Sequence, residues 1–157
     1  MKAERVIGLL KEHQYTLSAG ESCTGGLFLS TLIDVSGASA VIKEGFITYA
    51  EEAKQKHLGV KAETLETYTA VSEQVAKEMA EGLQKRTEAD IAISITGLAG
   101  PSGGTEKIPV GTVYIGCCYR GETRVEHFLF SGTRTEVREY AVEQALLIVE
   151  QCFTKTG

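Results

Sequence analysis

A serine, a cysteine and a threonine are crowded into the stretch AGESCTGG, residues 19–26. Ser22, Cys23 and Thr24 are expected at or near the start of a helix, where unpaired N–H groups and the helix macrodipole favour an anion. The two glycines that follow allow close approach to the backbone. The stretch predicts a loop that binds an anion or an oxyanion; the alternative is an N-cap before a close helix–strand crossing.

Ser36, Ser39, Tyr49 and Lys54 lie close together along the chain, in SGASAVIKEGFITYAEEAK. Some serine hydrolases use lysine instead of histidine, and lysine becomes a base once desolvation lowers its pKa. A tyrosine can relay the proton or hold an oxygen. The pattern is compatible with such a hydrolase, and the alternative is a lysine on a solvated helix beside a tyrosine in a strand.

A second glycine-rich stretch, TGLAGPSGG, occupies residues 96–104. It contains neither the G-x-x-x-x-G-K-[ST] pattern of a P-loop nor G-x-G-x-x-G. Ligands of open α/β sheets collect in the loops that follow the carboxyl ends of strands. Because residues 20–26 and 97–104 both follow predicted strands, we expect both to bind a ligand; the alternative for the second is a plain surface loop.

Other reactive side chains give weaker signals. A helix N-terminus would lower the pKa of the Cys23 thiol and make it a nucleophile, but a small packed residue is the preferred interpretation. None of the three histidines lies in a glycine-rich motif, so a Ser-His-Asp triad would need distant residues to meet. Arg134 and Arg138 lie one turn apart on a predicted helix, where they could clamp a phosphate or remain solvated.

Composition narrows the class of protein. A chain of 157 residues predicts one domain, residues 1–157. Its net charge of −5 argues against binding duplex nucleic acid, because the phosphates are usually bound by a positively charged protein surface. The four cysteines form no C-x-x-C pair, so neither a disulfide framework nor a metal site is expected. The N-terminus lacks the apolar centre of a signal peptide, and no apolar run could span a membrane. We expect a soluble, cytoplasmic protein.

These residues must be positioned by alternating helices and strands. Apolar spacing, turn residues and caps predict helices at 3–13, 25–35, 51–60, 61–68, 73–86 and from 133 to 151, and strands at 15–22, 45–50, 90–97, 110–120 and 124–130. Ser72 is the predicted N-cap of the fifth helix, and Thr133 with Glu136 forms a capping box for the last. The order predicts a three-layer α/β/α sandwich around a mixed, mostly parallel sheet, with an antiparallel hairpin within it.

Five motifs in this order, ESCTGG, GFITYAEEAK, AVSEQVAKEMA, TGLAGPSGGTEKIPVGTVYIG and FSGTRTEVR, resemble the C-terminal domain of the CinA family. The resemblance runs from about residue 3 to about residue 152. In stand-alone form that domain is a nicotinamide mononucleotide deamidase. Longer family members carry a preceding domain similar to molybdopterin-binding proteins. Because this sequence starts at its own methionine without that domain, it is expected to be similar to the stand-alone enzymes.

The resemblance implies hydrolysis of nicotinamide mononucleotide to nicotinic acid mononucleotide and ammonia, without a metal or organic cofactor. It implies a catalytic group of serine, tyrosine and lysine, with Lys54 as base and Tyr49 beside it. Ser39 is slightly favoured over Ser22 as nucleophile. Ser22 and Thr24 are then expected nearer the amide or its oxyanion.

The resemblance also implies ligand-binding residues and partners. Thr24 and Gly25 in the first loop, Thr96, Gly97 and Gly100 in the second, and Arg134 or Arg138 on the phosphate are the expected substrate contacts. A nucleotide substrate and a homo-oligomer are expected, without nucleic acid or membrane. The alternatives are a nucleotide-binding module without catalysis, an interaction protein linked to DNA uptake or repair, and a hydrolase of another amide or of a pyrophosphate.

Overall fold

Five strands form one sheet in the computed structural model, which describes residues 1–154 of the predicted domain; residues 155–157 lie outside the described part. The strands are β1 (Leu17–Glu21), β2 (Phe46–Ile47), β3 (Ile91–Gly97), β4 (Thr112–Tyr119) and β5 (Glu122–Leu129). Their order across the sheet is β2-β1-β3-β4-β5. β1 is parallel to β2 and β3, whereas β4 is antiparallel to β3 and β5. Four strands therefore run in one direction, and β4 runs against them.

Helices cover both faces of this sheet. They are α1 (Lys2–His13), α2 (Leu27–Ile33), α3 (Glu51–Leu58), α4 (Ala62–Tyr68), α5 (Glu73–Thr87) and α6 (Arg134–Thr154). α1, α2 and α6 share one apolar cluster with the sheet, and α3, α4 and α5 form a second cluster on the opposite face. The predicted three-layer α/β/α sandwich is confirmed. Among residues 1–154, no helix combines the length and the apolar character that a membrane span needs.

The central strand β3 is buried along almost its whole length because helices cover it on both sides. Ile93 and Ile95 face the α1, α2 and α6 layer. Ser94 points the other way, and its hydroxyl donates to the carbonyl of Ala76 in α5. The first six residues of β3 are all buried. This strand thus fixes the centre of the sheet, and its carboxyl end lies beside that of β1.

A close approach between two helices places α3 on the sheet. A Cβ atom at Gly82 of α5 would overlap the backbone carbonyl of Leu58, the last residue of α3. Only glycine therefore lets α5 approach the end of α3 so closely. Leu58 in turn packs over Gly20 of β1, where an added Cβ would lie 2.8 Å from a Leu58 methyl carbon. These contacts hold the helix that carries Lys54 against the end of β1.

The caps follow the sequence prediction, and the edge strand does not. Ser72 accepts a hydrogen bond from the N–H of Val75, and Thr133 and Glu136 exchange the two bonds of a capping box. The predicted strand 45–50 is reduced to Phe46–Ile47, because it pairs only with β1 at the edge of the sheet.

Candidate active site

Ser22 directly follows β1, on the face of the sheet that α3 covers. Its N–H donates to the carbonyl of Ile95 at 2.9 Å, which fixes the backbone against β3. Its hydroxyl oxygen lies 2.9 Å from the Nζ atom of Lys54. The same oxygen is 3.5 Å from the carbonyl of Tyr49, which is too long for a strong hydrogen bond. Ser22 and Lys54 therefore form a direct serine–lysine pair.

Lys54 is buried to 1 % exposure, an unusual position for a lysine. Besides Ser22, its Nζ atom lies 2.8 Å from the carbonyl oxygen of Thr48 and 3.2 Å from that of Tyr49. An ammonium group donates to all three oxygens. A neutral amine has two N–H groups for the two carbonyls and one lone pair, which is left for the hydroxyl proton of Ser22. The three oxygens around the Nζ atom thus accommodate both the charged and the neutral form of Lys54.

Burial lowers the pKa of Lys54 below its ordinary value of 10.5, because the charged form loses its hydration in the interior. Negative charge on Cys23 and Glu51 would act in the opposite direction, but more weakly. The lowered pKa makes the neutral amine more accessible near neutral pH. A lysine that can shed its proton beside a serine hydroxyl can act as a general base.

Tyr49 meets Lys54 through its backbone carbonyl, whereas its side chain is 63 % exposed. The phenol oxygen accepts a hydrogen bond from Nη2 of Arg134 at 3.2 Å. Nη1 of the same guanidinium donates to the carbonyl of Gly100 at 2.7 Å. Arg134 therefore connects the side chain of Tyr49, whose carbonyl contacts Lys54, to the second glycine loop (residues 97–104).

The anion at the start of α2 is supplied by the protein itself. The fully buried carboxylate of Glu21 accepts hydrogen bonds from the N–H groups of Phe28 and Leu29, at 2.9 and 3.0 Å, and from the Thr24 hydroxyl at 2.6 Å. The expected anion site at this helix start is thus already filled. The Thr24 hydroxyl is also committed to Glu21 and is not presented to a ligand.

Arg138 holds the carbonyl side of the first glycine loop (residues 20–26). Its Nε atom donates to the Cys23 carbonyl at 3.0 Å, and Nη2 donates to the Thr24 carbonyl at 2.9 Å. Gly25, with a φ of +55°, sits beside this guanidinium. The two expected phosphate ligands therefore differ: Arg138 is bound to the loop, whereas Arg134 is exposed beside Tyr49 and Gly100.

Cys23 fits the packed-residue interpretation. It is 7 % exposed, and its side chain belongs to the apolar cluster under α2 and α6. Burial raises the pKa of its thiol to about 12, against weaker opposing effects that include the charges of Arg138 and Lys54. The thiolate is therefore disfavoured at neutral pH, and the thiol is a poor nucleophile.

The structure does not bring Ser39 to Lys54. Ser39 is exposed in a short 3₁₀ turn (Ala38–Ala40). Three residues later, Ile42 pairs with Leu17 at the start of β1, whereas Ser22 follows the end of that strand. Five residues of strand separate the two ends, about 16 Å. Of the two candidate serines, Ser22 is therefore the one that lies beside the Lys54 amine, whereas the favoured Ser39 does not.

In the second glycine loop and the strand before it, two of the expected contacts are internal. The Thr96 hydroxyl is buried and donates to the carbonyl of Ala70 at 2.8 Å. A Cβ atom at Gly97 would lie 2.7 Å from the carbonyl oxygen of Thr112, so glycine is needed for strand packing. Gly100 has a φ of +85° and reaches the site through its carbonyl, which Arg134 holds.

Known proteins are similar to this chain over nearly its whole length. The family model described as the CinA C-terminal domain matches residues 1–153. A competence-damage inducible protein from Clostridium perfringens is 55 % identical over 136 residues, which are 86 % of this chain and 33 % of that protein. A CinA-like protein from Kosmotoga olearia is 48 % identical over 148 residues, 94 % of this chain and 36 % of its own length. The chain spans about a third of the length of these curated relatives.

Solved structures match the fold closely. The competence/damage inducible protein CihA from Agrobacterium tumefaciens has a TM-score of 0.93 and 39 % identity, covering 96 % of this chain and 92 % of its own. A CinA superfamily protein from Escherichia coli has a TM-score of 0.92 and 37 % identity, covering 96 % and 88 %.

Proposed function

The chain belongs to the CinA C-terminal domain family, and we propose that it is an amidohydrolase that converts nicotinamide mononucleotide and water into nicotinic acid mononucleotide and ammonia. One observation carries the reaction class: a buried lysine amine lies 2.9 Å from a serine hydroxyl and is held by two backbone carbonyls. The choice of substrate rests on the family resemblance. The site supports attack on a carboxamide, because such a reaction needs a nucleophile and a base.

In the first half-reaction, neutral Lys54 takes the proton of Ser22 as its oxygen attacks the carboxamide carbon. The carbon–nitrogen bond then breaks, and the Lys54 ammonium returns its proton to the leaving nitrogen, which departs as ammonia. A nicotinoyl ester of Ser22 remains. Backbone N–H groups of the first glycine loop, next to the attacking oxygen, are the candidates to stabilise the oxyanion.

In the second half-reaction, Lys54 takes a proton from water, and the hydroxide attacks the ester carbon. The bond to Ser22 breaks, and the serine oxygen recovers its proton from Lys54. The carboxylic acid formed loses its proton to solvent, and the product leaves as a carboxylate. Because the same amine accepts and returns a proton in each half, its pKa must lie close enough to the working pH for both states to be populated.

Arg134 is the arginine that we assign to the substrate phosphate. Arg138 is bound to the carbonyls of Cys23 and Thr24, whereas Arg134 is exposed beside Tyr49 and Gly100. A guanidinium has five N–H donors, so its two present bonds leave donors for a phosphate.

Replacing Arg134 by methionine should raise KM for nicotinamide mononucleotide by about tenfold or more, because a hydrogen bond to a charged group contributes roughly 1.5–3 kcal/mol. The riboside, which lacks the phosphate, should show little change in KM. Steady-state kinetics on both substrates measures the difference, with Arg5→Met, an exposed arginine paired with Glu150, as the control. Equal rises in KM for both substrates would contradict the phosphate assignment.

The overall proposal is tested by incubating the purified protein with nicotinamide mononucleotide and measuring ammonia together with nicotinic acid mononucleotide. Equimolar release of the two products is the expected result. Tight binding of the nucleotide with no ammonia, in a protein that is folded, would overturn the proposal in favour of a binding module.

A further inference from the structure

Glu21 joins the first glycine loop to the start of α2. One carboxylate oxygen accepts from the Thr24 hydroxyl and the Phe28 N–H, and the other accepts from the Leu29 N–H. The side chain is fully buried, so these bonds are not exchanged with water. Glu21 thereby connects the end of β1 to the turn that follows it, through Thr24, and to the first turn of α2, through Phe28 and Leu29.

The same loop is held on its acceptor side by Arg138. Its guanidinium donates to the carbonyls of Cys23 and Thr24 from a helix that lies 114 residues further along the chain. Glu21 and Arg138 therefore hold the loop from two directions, Glu21 through the Thr24 hydroxyl and the start of α2, and Arg138 through two loop carbonyls. We call these two side chains the loop clamp.

Strand alternation prevents Glu21 from touching the reacting atoms. Successive side chains of a strand point to opposite faces of the sheet. The Glu21 carboxylate lies under α2, and the next residue directs its hydroxyl to Lys54 on the α3 face. The carboxylate therefore makes no hydrogen bond to Ser22 or Lys54 and is connected to Ser22 through the backbone that joins them.

We propose that the loop clamp is a positioning device for the nucleophile: Glu21 and Arg138 hold the turn that directly follows Ser22, so that the Ser22 hydroxyl stays within hydrogen-bond distance of Lys54. This inference rests on the proposed function, because it takes Ser22 as the nucleophile. A displacement of about 1 Å at a reacting group can reduce the rate by roughly 100-fold. The serine–lysine distance of 2.9 Å would then leave the hydrogen-bond range.

The test compares two glutamates that cap helices by the same chemistry. Glu78 accepts from the Lys61 N–H and the Thr64 hydroxyl at the start of α4, and contacts neither Ser22 nor Lys54 among its hydrogen bonds. Glutamine keeps the size of either side chain but turns one acceptor oxygen into an NH₂ group that faces another donor. Glu21→Gln should lower kcat about 100-fold with KM changed by less than about threefold. Glu78→Gln should lose thermal stability and keep the wild-type kcat within about twofold.

Arg138 supplies the second half of the test. Arg138→Lys keeps the charge but cannot reach two carbonyls with a planar fork, so we expect a fall in kcat of similar size. The double variant Glu21→Gln/Arg138→Lys should be little slower than either single variant, because both act through the position of one loop. If Glu21→Gln lowers kcat no more than Glu78→Gln, at a temperature where both are folded, the clamp is only structural and the inference is overturned.

A fluorophosphonate separates this inference from the choice of substrate. The Ser22 oxygen forms a bond to phosphorus, the phosphorus–fluorine bond breaks, fluoride leaves, and the serine proton passes to Lys54; intact-mass measurement gives the rate. The clamp is supported, even if no ammonia is released, when the wild type is labelled and Glu21→Gln is labelled at least tenfold more slowly. Glu78→Gln should then be labelled at the wild-type rate. Labelling at equal rates in all three overturns it. A wild type that neither labels nor releases ammonia has no activated serine, and the clamp falls with the proposed function.

Discussion

Replacing Ser22 by alanine should reduce kcat for ammonia release by about 10⁴-fold or more, because removal of a catalytic serine eliminates the covalent route. Substrate binding should remain within a few-fold of the wild type, since the hydroxyl reacts with the carboxamide and does not hold the nucleotide. Single-turnover kinetics with an equilibrium binding measurement separates the two effects. The loss should be visible at every substrate concentration.

Ser39→Ala is the matched control for this experiment. Both serines were candidates for the nucleophile, but Ser39 lies at the opposite end of β1, exposed, with its carbonyl held by Lys43. The alanine variant should keep the wild-type kcat. The reverse pattern, a large loss in Ser39→Ala and none in Ser22→Ala, would show that the serine–lysine pair described here is not the reactive one.

Replacing Lys54 by methionine should lower kcat by about 10²- to 10⁴-fold, the usual contribution of a general base. The variant should still fold, because methionine fills a similar volume and removes a charge that is costly to bury. Two buried carbonyls lose a partner, which opposes that gain. Lys43→Met, at an exposed lysine, should keep full activity. Undiminished turnover in Lys54→Met would exclude it as the base.

The pH dependence follows from the same residue. Burial lowers the pKa of Lys54 below 10.5, so the folded protein sheds this proton at lower pH than the unfolded chain. The neutral base gains population as pH rises, and kcat/KM should rise and level off above the lowered pKa. Between that pKa and 10.5 the unfolded chain binds more protons, so the contribution of this group to stability should also rise with pH. Both trends should be absent in Lys54→Met.

The three-layer fold could be predicted from the sequence because its strongest signals are local. The apolar run of β3 and the spacing of the longer helices depend only on which faces are buried. The caps at Ser72 and Thr133 also depend on residues within one turn. The edge strand β2 was overestimated, because its length depends on how far β1 extends as its partner, and that is a property of the whole sheet.

The pairing of Lys54 with Ser22 instead of Ser39 could not be predicted from local patterns because it depends on strand register. Ser39 lies closer to Lys54 along the chain than Ser22 does. The parallel pairing of Glu21 with Ile47 nevertheless carries Ser22 to the segment Thr48–Tyr49, against which Lys54 packs. No local pattern encodes that register.

Glu21 was overlooked for a related reason. The sequence indicated an anion at the start of α2, but a side chain that bonds to N–H groups seven and eight residues later matches no capping spacing. The sequence feature that indicates its role is an acidic residue at the end of a buried strand, directly before a glycine-rich turn.

The serine–lysine pair and its supporting carbonyls all come from residues 22–54, whereas Arg134 and the second glycine loop come from the far half of the chain. The serine–lysine pair and the Arg134 loop contact therefore occupy separate stretches of the sequence, although Arg138 of the far half still holds the loop next to Ser22. Under the proposed function, exchange of residues 97–104 alone would change the groups around Arg134 while Ser22, Lys54 and the Arg138 contacts are retained. That separation makes the second glycine loop the segment to vary when a change of substrate is sought in the proposed amidohydrolase.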